Sequence, residues 1–381
     1  MILHITNDFA GSKVYVQLIQ KLDEMGVEQI VFTPVKTAES VGKNQFEFQV
    51  KSSRIIYANI LNQTTDRFFY RWKIHKILRE IEKQVDFSKI SLIHAHTWYS
   101  DGGVAFLLHQ KYRLPYLVAV QNTDLNIFYR FLPHERTFGR KILLNASKII
   151  LVSASYKKRL LEFPINAKFI SELSKKMQAI PFGLANFWLE NLREKPLDLE
   201  DNAIVRVLYV GKFSHEKNVP NLLRGVLFYN EKYSPKIHLQ IIGGGGVEAK
   251  EAETIIAQHP SDFTFLGSVT DKEKLKEFYR ANSLFAMPSR RESFGLVYVE
   301  ALSQGLPVLY TEGEGIDGFF QQIGEKVPKN ATAEEISNAF NRLILHYSTY
   351  EIPHEQLKKQ LNWQNIAEIY REIYDQLRIT N

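Results

Sequence analysis

"IVRVLYVGKFSHEKNVPNLLRGVLFYN", residues 204–230, is the stretch whose reading decides the architecture. It begins as an apolar run rich in Val, Leu and Ile, turns at Gly211, and passes into a helical pattern from Asn218. A β-branched apolar run, a glycine loop and a helix make the opening unit of a doubly wound parallel sheet. Residues 2–26, "ILHITNDFAGSKVYVQLIQKLDEMG", repeat that order around Gly11. A chain of 381 residues is too long for one ordinary core, and this one starts its pattern twice. Two Rossmann-like α/β halves facing each other across a cleft are the expected fold.

Working outward, "EQIVFTPV" (28–35), "SLIHAHTW" (91–98), "PYLVAVQ" (115–121) and "KIILVSAS" (148–155) read as buried strands of the first half. In the second half "IHLQIIGGGG" (237–246), "FTFLGSV" (263–269), "SLFAMPS" (283–289) and "LPVLYTE" (306–312) take that part. Between the halves, "PFGLANFWLENLREKPLDLED" (181–201) breaks the alternation with Pro, Gly and a charge run, and reads as a linker. A single (β/α)8 barrel is the alternative, and the break and restart argue against it.

Composition excludes several classes. With no cysteine there is neither a disulfide framework nor a thiolate metal site, which fits a reducing compartment. "MILHITNDFAGSK" has no basic residues before its apolar ones and reads as a first strand, not a signal peptide. No run approaches the ~20 apolar residues of a membrane-spanning helix. The net charge of +6 is unevenly spread: residues 1–185 hold 26 Lys and Arg against 15 Asp and Glu, and the rest hold 22 against 27. The halves therefore face different electrostatic tasks.

Chemistry concentrates in "SRRESFGLVYVEALSQGLPV", residues 289–308, with Glu292 in a turn and Glu300 inside an apolar helix. Gly305 and Pro307 mark the end of that helix, which places its start near Phe294–Leu296. Its first N–H groups are free to hold an anion or a hydroxyl, and in an open α/β sheet ligands bind at this end of the strands. A carboxylate there repels phosphate and accepts hydrogen bonds from a sugar diol. Glu292 and Glu300 thus read as hydroxyl acceptors flanking an amide-lined phosphate site. A helix-dipole role for Glu292 with an ordinary helix position for Glu300, or a glycosidase acid–base pair, are the other readings. Lys212 and Lys217, across the turn after "IVRVLYV", supply charge for a diphosphate without a metal, or are plain surface lysines. The glycines from Gly243 and Gly244 onward permit close backbone approach.

Taken together, "PSRRESFGLVYVEALSQGLPV", "VGKFSHEKN", "IIGGGG", "FLGSV" and "AIPFGL" resemble the retaining glycosyltransferases of family four, which have the GT-B fold. The likeness is collinear over nearly the whole chain. It implies an acceptor-side domain at 1–185, a donor-binding domain at 186–358, and a C-terminal helix at 359–381 crossing back to the first. It implies transfer of a sugar from a UDP- or GDP-sugar to an acceptor hydroxyl in cell-surface glycan or glycolipid synthesis. By the same resemblance, Glu300 binds ribose and Glu292 contacts the donor sugar. The amides of Ser293, Phe294, Gly295 and Leu296 hold sugar and β-phosphate, with Gly211, Gly243 and Gly244 beside them. Lys212 and Lys217 stabilise the departing diphosphate. Gly11 sits in the first loop and lets the domains close. The nucleotide-sugar is substrate, and neither cofactor nor metal is required.

One departure concerns "QNTD": Gln121 stands where the family commonly has histidine, and glutamine cannot act as a base. His96 and Asp124 are the nearby candidates, each also readable as a strand-end residue satisfied by backbone. Residues 66–84, "DRFFYRWKIHKILREIEKQ", interleave Phe68, Trp72, Ile74, Ile77, Leu78 and Ile81 with Arg67, Arg71, Lys73, Lys76 and Arg79. They form a packed amphipathic helix, or a face resting on an anionic membrane through Arg71 and Lys76. The expected place is the cytoplasm, at the inner face of the membrane, and no nucleic-acid motif accompanies the charge. A nucleotide-sugar epimerase or phosphorylase on the same fold, and a non-catalytic binding partner, are the competing functions.

Overall fold

The structure is a computed structural model describing residues 1–379 except 63, 194–198 and 200–203; the side chains of 67 and 68 also lie outside the described residues. It divides into two units. The first comprises Met1–Val152, Tyr156–Gly183 and Trp363–Asn381, and the second Ser153–Ser155 and Leu184–Asn362.

The first unit is built on seven parallel strands: β1 (Ile2–Ile5), β2 (Gln29–Val35), β3 (Arg54–Asn59), β4 (Leu92–Ala95), β5 (Tyr116–Val120), β6 (Lys148–Leu151) and β7 (Met177–Ala179). Their order is β3-β2-β1-β4-β5-β6-β7. Parallel strands need crossovers, which cover both faces, so β1, β2, β4 and β5 are buried along their whole length. Side chains alternate between the faces. Leu3, Ile5, Ile93 and Val118 join the larger core, whereas Ile2, Leu92, Leu117 and Ala119 face the other way. The helix Lys13–Glu24 buries Tyr15, Leu18, Ile19 and Leu22, one stripe at helical spacing. Trp363–Ile379 does the same with Trp363, Ile366, Ala367, Tyr370, Ile373 and Tyr374, and packs with Leu18 and Leu22 over that second face.

The second unit has six parallel strands, β8 (Ile204–Lys212), β9 (Lys236–Gly244), β10 (Phe263–Gly267), β11 (Leu284–Ala286), β12 (Val308–Thr311) and β13 (Gly324–Val327), ordered β10-β9-β8-β11-β12-β13. The helices Val219–Lys232 and Ala333–Leu345 cover one face. Thr332 and Glu335 form a reciprocal cap at the start of the latter. Chain direction across the sheet reverses between β8 and β11, so the loops after these two strands flank the switch point where open α/β sheets bind ligands.

Every strand expected from the sequence forms, and β3, β7 and β13 were not expected. The linker is shorter than the 181–201 reading. The chain passes between units at Gly183–Leu184, and Asn186–Glu190 is a helix whose Trp188 is fully buried in the second unit. Most of the charge run at 194–201 lies outside the described residues. The segment 66–84 is two helices, Thr65–Phe68 and Tyr70–Gln84, broken at Phe69. Ile74, Ile77 and Ile81 are buried as an amphipathic helix requires, but Trp72 is 54 % exposed.

Candidate functional site

The loop after β11 runs from Met287 to Gly295 and delivers the chain into the helix Leu296–Ser303. Gly295 takes φ 79°, the left-handed region. A Cβ there would lie 2.5 Å from the ring of Tyr298 and 3.0 Å from Cγ of Glu292. Tyr298 is fixed in turn by its hydroxyl, which donates to the Met287 carbonyl. No side chain caps this helix end. The Ser293 amide, expected to serve a ligand, donates instead to the Glu292 carboxylate at 3.1 Å. Phe294 is buried against Phe319, leaving only its backbone to serve a ligand. Gly295→Ala should therefore cost roughly 1–3 kcal/mol through the backbone conformation, with further loss from the ring clash. Chemical denaturation reads this directly, and an unchanged midpoint would show that the loop is not held as described.

Glu292 meets Lys217 in an ion pair joining the loops after β11 and β8, 75 positions apart in the chain. Lys217 ends the turn His215–Lys217, and Asn218, at φ 60°, anchors that turn by donating to the Ala331 carbonyl at 3.1 Å. The two loops are tied again where the Arg290 amide donates to the Glu216 carbonyl at 2.7 Å, and the Arg290 guanidinium reaches Glu248, in the loop after β9, at 2.9 Å. Glu314, not singled out from the sequence, accepts from the Glu292 amide at 3.0 Å and from Lys329 at 2.5 Å. Its segment, "TEGEG", carried glycines and acids but no periodic pattern to flag it.

Lys212 belongs to a different group. It ends β8 opposite Gly244 of β9 and lines a pocket of about 530 Å³ with Gly211, Gly243, Gly245 and Phe265. Gly243, at φ 130°, comes so near Gly211 that a Cβ would sit 1.8 Å from the Gly211 carbonyl oxygen. Glycine is required there, and the strand ends approach without intervening side chains.

Glu300 lies over a turn into the helix, where its carboxylate accepts from the Tyr279 hydroxyl at 3.2 Å. Burial pushes its carboxyl up to about 7, opposed by the hydrogen bond from Tyr279 and the charge of Lys272. Trp188 packs edge-on against Tyr279 at 5.4 Å and completes this aromatic bed.

In the first unit Gly11 follows Asp8 in a turn, its amide donating to the Asp8 carbonyl at 3.1 Å. Gln121 donates from Nε2 to the His96 carbonyl at 3.3 Å. Asp124 is fully buried and accepts from the amides of Gln121, Trp98 and Tyr99 at 2.8–2.9 Å. Burial raises its carboxyl to about 6 and those amides hold it down. That carboxylate ties the strand-end loop together, which is the backbone-satisfied reading. His96 is buried too, its Nε2 against Nδ1 of His4 at 3.0 Å. Arg71 and Lys76 are not loose surface charges. Arg71 pairs with Glu135 at 2.7 Å and lies over the Phe138 ring, while Lys76 pairs with Asp66 at 3.2 Å. Sequence reasoning missed the buried Asp101, which accepts from the Asn7 amide at 3.1 Å, beside Lys73, which donates to Ser100 at 3.0 Å.

Two family models cover most of the chain: "Glycosyl transferases group 1" matches residues 191–360 and "Glycosyltransferase Family 4" residues 11–171. The chain belongs to the group 1 glycosyltransferases. An uncharacterised glycosyltransferase of Methanocaldococcus jannaschii is 26 % identical over 76 % of each chain. The alpha-monoglucosyldiacylglycerol synthase of Acholeplasma laidlawii is 24 % identical over 80 % of this chain and 77 % of that one. Among solved structures, sucrose-phosphate synthase from Thermosynechococcus elongatus superposes with a TM-score of 0.74 at 21 % identity, over 100 % of this chain and 99 % of that one. An Anabaena protein in complex with UDP gives 0.67 at 15 %, over 98 % and 99 %. These superpositions establish that this glycosyltransferase has the GT-B fold. No helix among its described residues is long and apolar enough to cross a membrane.

Proposed function

We propose that this glycosyltransferase moves a sugar, with retention at the anomeric carbon and without a metal, from a UDP- or GDP-sugar to an acceptor hydroxyl of a cell-surface glycan or glycolipid. The observation that carries this reading is the Lys217–Glu292 pair beside the uncapped amides of the helix Leu296–Ser303, with Glu300 one turn further in. An ammonium and several amides stabilise a departing diphosphate, a carboxylate faces the positive charge on the sugar ring, and a second carboxylate accepts from a diol. The glycine-lined pocket bearing Lys212 adds room for the nucleotide. UDP in the Anabaena structure and the glucosyl lipid in the Acholeplasma relative's name support the donor and acceptor classes. Titration calorimetry with UDP, GDP and their sugars tests the donor. Absence of saturable binding by all of them would remove the reading. Release of free nucleotide only when acceptor is present separates a transferase from an epimerase.

The membrane side of this reading rests on other residues than those first expected. Arg71 and Lys76 serve ion pairs, but Phe69 and Trp72 are exposed at 62 % and 54 %, and Arg79 is exposed on the helix Tyr70–Gln84. Lys and Arg near an anionic surface contribute about 1 kcal/mol each, lost with salt. Sedimentation with anionic vesicles should be reversed by high salt and weakened by Trp72→Glu with Arg79→Glu. Equal partition onto neutral vesicles would leave a water-soluble acceptor.

A further inference from the structure

Strands β1 and β4 pair so that His4 stands opposite His94, and His96 follows two positions on, where a strand returns to the same face. One ring nitrogen from each of the three histidines lies within 4.8 Å of the others, and the rings of His94 and His96 stack at 3.9 Å, so one of them must turn for both in-plane lone pairs to meet on one ion. Their exposures are 0 %, 0 % and 3 %. An ordinary buried histidine hydrogen-bonds at both nitrogens, yet here Nε2 of His94 has no hydrogen-bond partner among the described residues. Nδ1 of His4 faces Nε2 of His96 at 3.0 Å.

We propose that His4, His94 and His96 form a transition-metal site, with Zn²⁺ as the resident ion, that clamps β1 to β4 in the first unit. The chemistry of the donor set points this way. Three imidazoles without thiolate or carboxylate suit zinc, copper or nickel and not magnesium or calcium. Two imidazole nitrogens on a tetrahedral zinc lie roughly 3.3 Å apart at bonds of about 2.0–2.1 Å, close to the separation already present between His4 and His96. The outer shell is in place as well: Nδ1 of His94 is engaged by the Tyr374 hydroxyl at 2.7 Å, which leaves its Nε2 to ligate. His96 also lines a cavity of about 20 Å³ with Gln121, Tyr15 and Tyr370, enough for one water beside that ring.

The full chain, purified and dialysed against metal-free buffer, is measured by elemental analysis. About one equivalent of zinc per chain is expected, and after stripping, cobalt(II) should give the visible absorption of a tetrahedral site. Zinc should raise the melting temperature of the stripped protein, and His94→Gln with His96→Gln should abolish the metal content, the spectrum and that rise. Less than about a tenth of an equivalent, with no cobalt spectrum and no thermal shift, overturns the proposal. So does full occupancy in the double variant. If that variant fails to fold, the wild-type stoichiometry and cobalt spectrum decide, with His4→Asn as a milder change. None of these readouts involves the donor site, so the outcome is independent of the proposed transfer reaction.

Discussion

Lys217→Ala should lower kcat by roughly 10²–10³, the effect of deleting one donor from a site where charge develops in the transition state. The diphosphate gains negative charge as the sugar departs, and Lys217 is held by the turn His215–Lys217 and by Glu292 where that charge is expected. Because the stabilisation grows along the reaction, KM should move far less than kcat. The alanine variant also removes the cation beside Glu292 and so brings its carboxylate into repulsion with the phosphates. Combining Lys217→Ala with Glu292→Gln in a double-mutant cycle should therefore cost less than the sum of the two single losses in kcat. A single variant within about threefold of wild type would take Lys217 out of the chemistry. In the metal-independent reading EDTA leaves turnover intact. Activity lost to the chelator and restored by magnesium or manganese would contradict a lysine-based mechanism.

Glu300→Gln should weaken nucleotide-sugar binding by roughly 1–3 kcal/mol, the loss expected when a charged acceptor is replaced by a neutral one. Its pH dependence is more diagnostic. Burial lifts the Glu300 carboxyl to about 7, so in the free protein it is half protonated near neutrality. A diol donates to the ionised form, and binding therefore expels the proton. Affinity should climb as pH rises toward about 7 and level off above it, and the glutamine variant should lose that slope. A nucleotide-sugar is the right probe, because its diphosphate is esterified at both ends and has no proton of its own titrating there. Stability moves oppositely. A carboxyl raised above its unfolded value costs the fold stability as pH rises through the window from its ordinary value to about 7, so Glu300→Gln should melt no lower than wild type at pH above 7. A variant whose affinity matches that of wild type at every pH would remove Glu300 from the donor site.

Continuous apolar runs made the central strands legible. β1, β4 and β5 are buried along their whole length and must be apolar to survive there, while β8 and β9 keep apolar residues at their buried positions. The edge and near-edge strands escaped notice for the converse reason: β3 is largely accessible, β7 spans three residues, and β13 reads "GEKV" with its first three positions not fully buried. Glu292 and Glu300 stood out because their spacing is local. The meeting of Glu292 with Lys217 is not local, since it depends on β8 and β11 becoming neighbours, an order no stretch of sequence carries by itself. Charge was the least readable property. Arg71 looked like a free cation because Glu135, 64 positions on, gives no sign in the sequence that it folds back against it. His4 and the HAH of β4 were likewise separate until the sheet paired them.

The helix Trp363–Ile379 belongs to the first unit although the whole second unit precedes it in the chain. During synthesis the second unit emerges nearly contiguous and can close while the first still lacks part of its wall. The usual order, in which the N-terminal domain folds first, is thereby reversed for completion. Until that helix leaves the ribosome, Leu18, Leu22, Leu117 and Ala119 present an uncovered apolar face, a natural target for chaperones. Stalled nascent chains ending after Asn362 should resist protease in the second unit and be cut in the first, and protection of both would show that the sheet closes without its last helix.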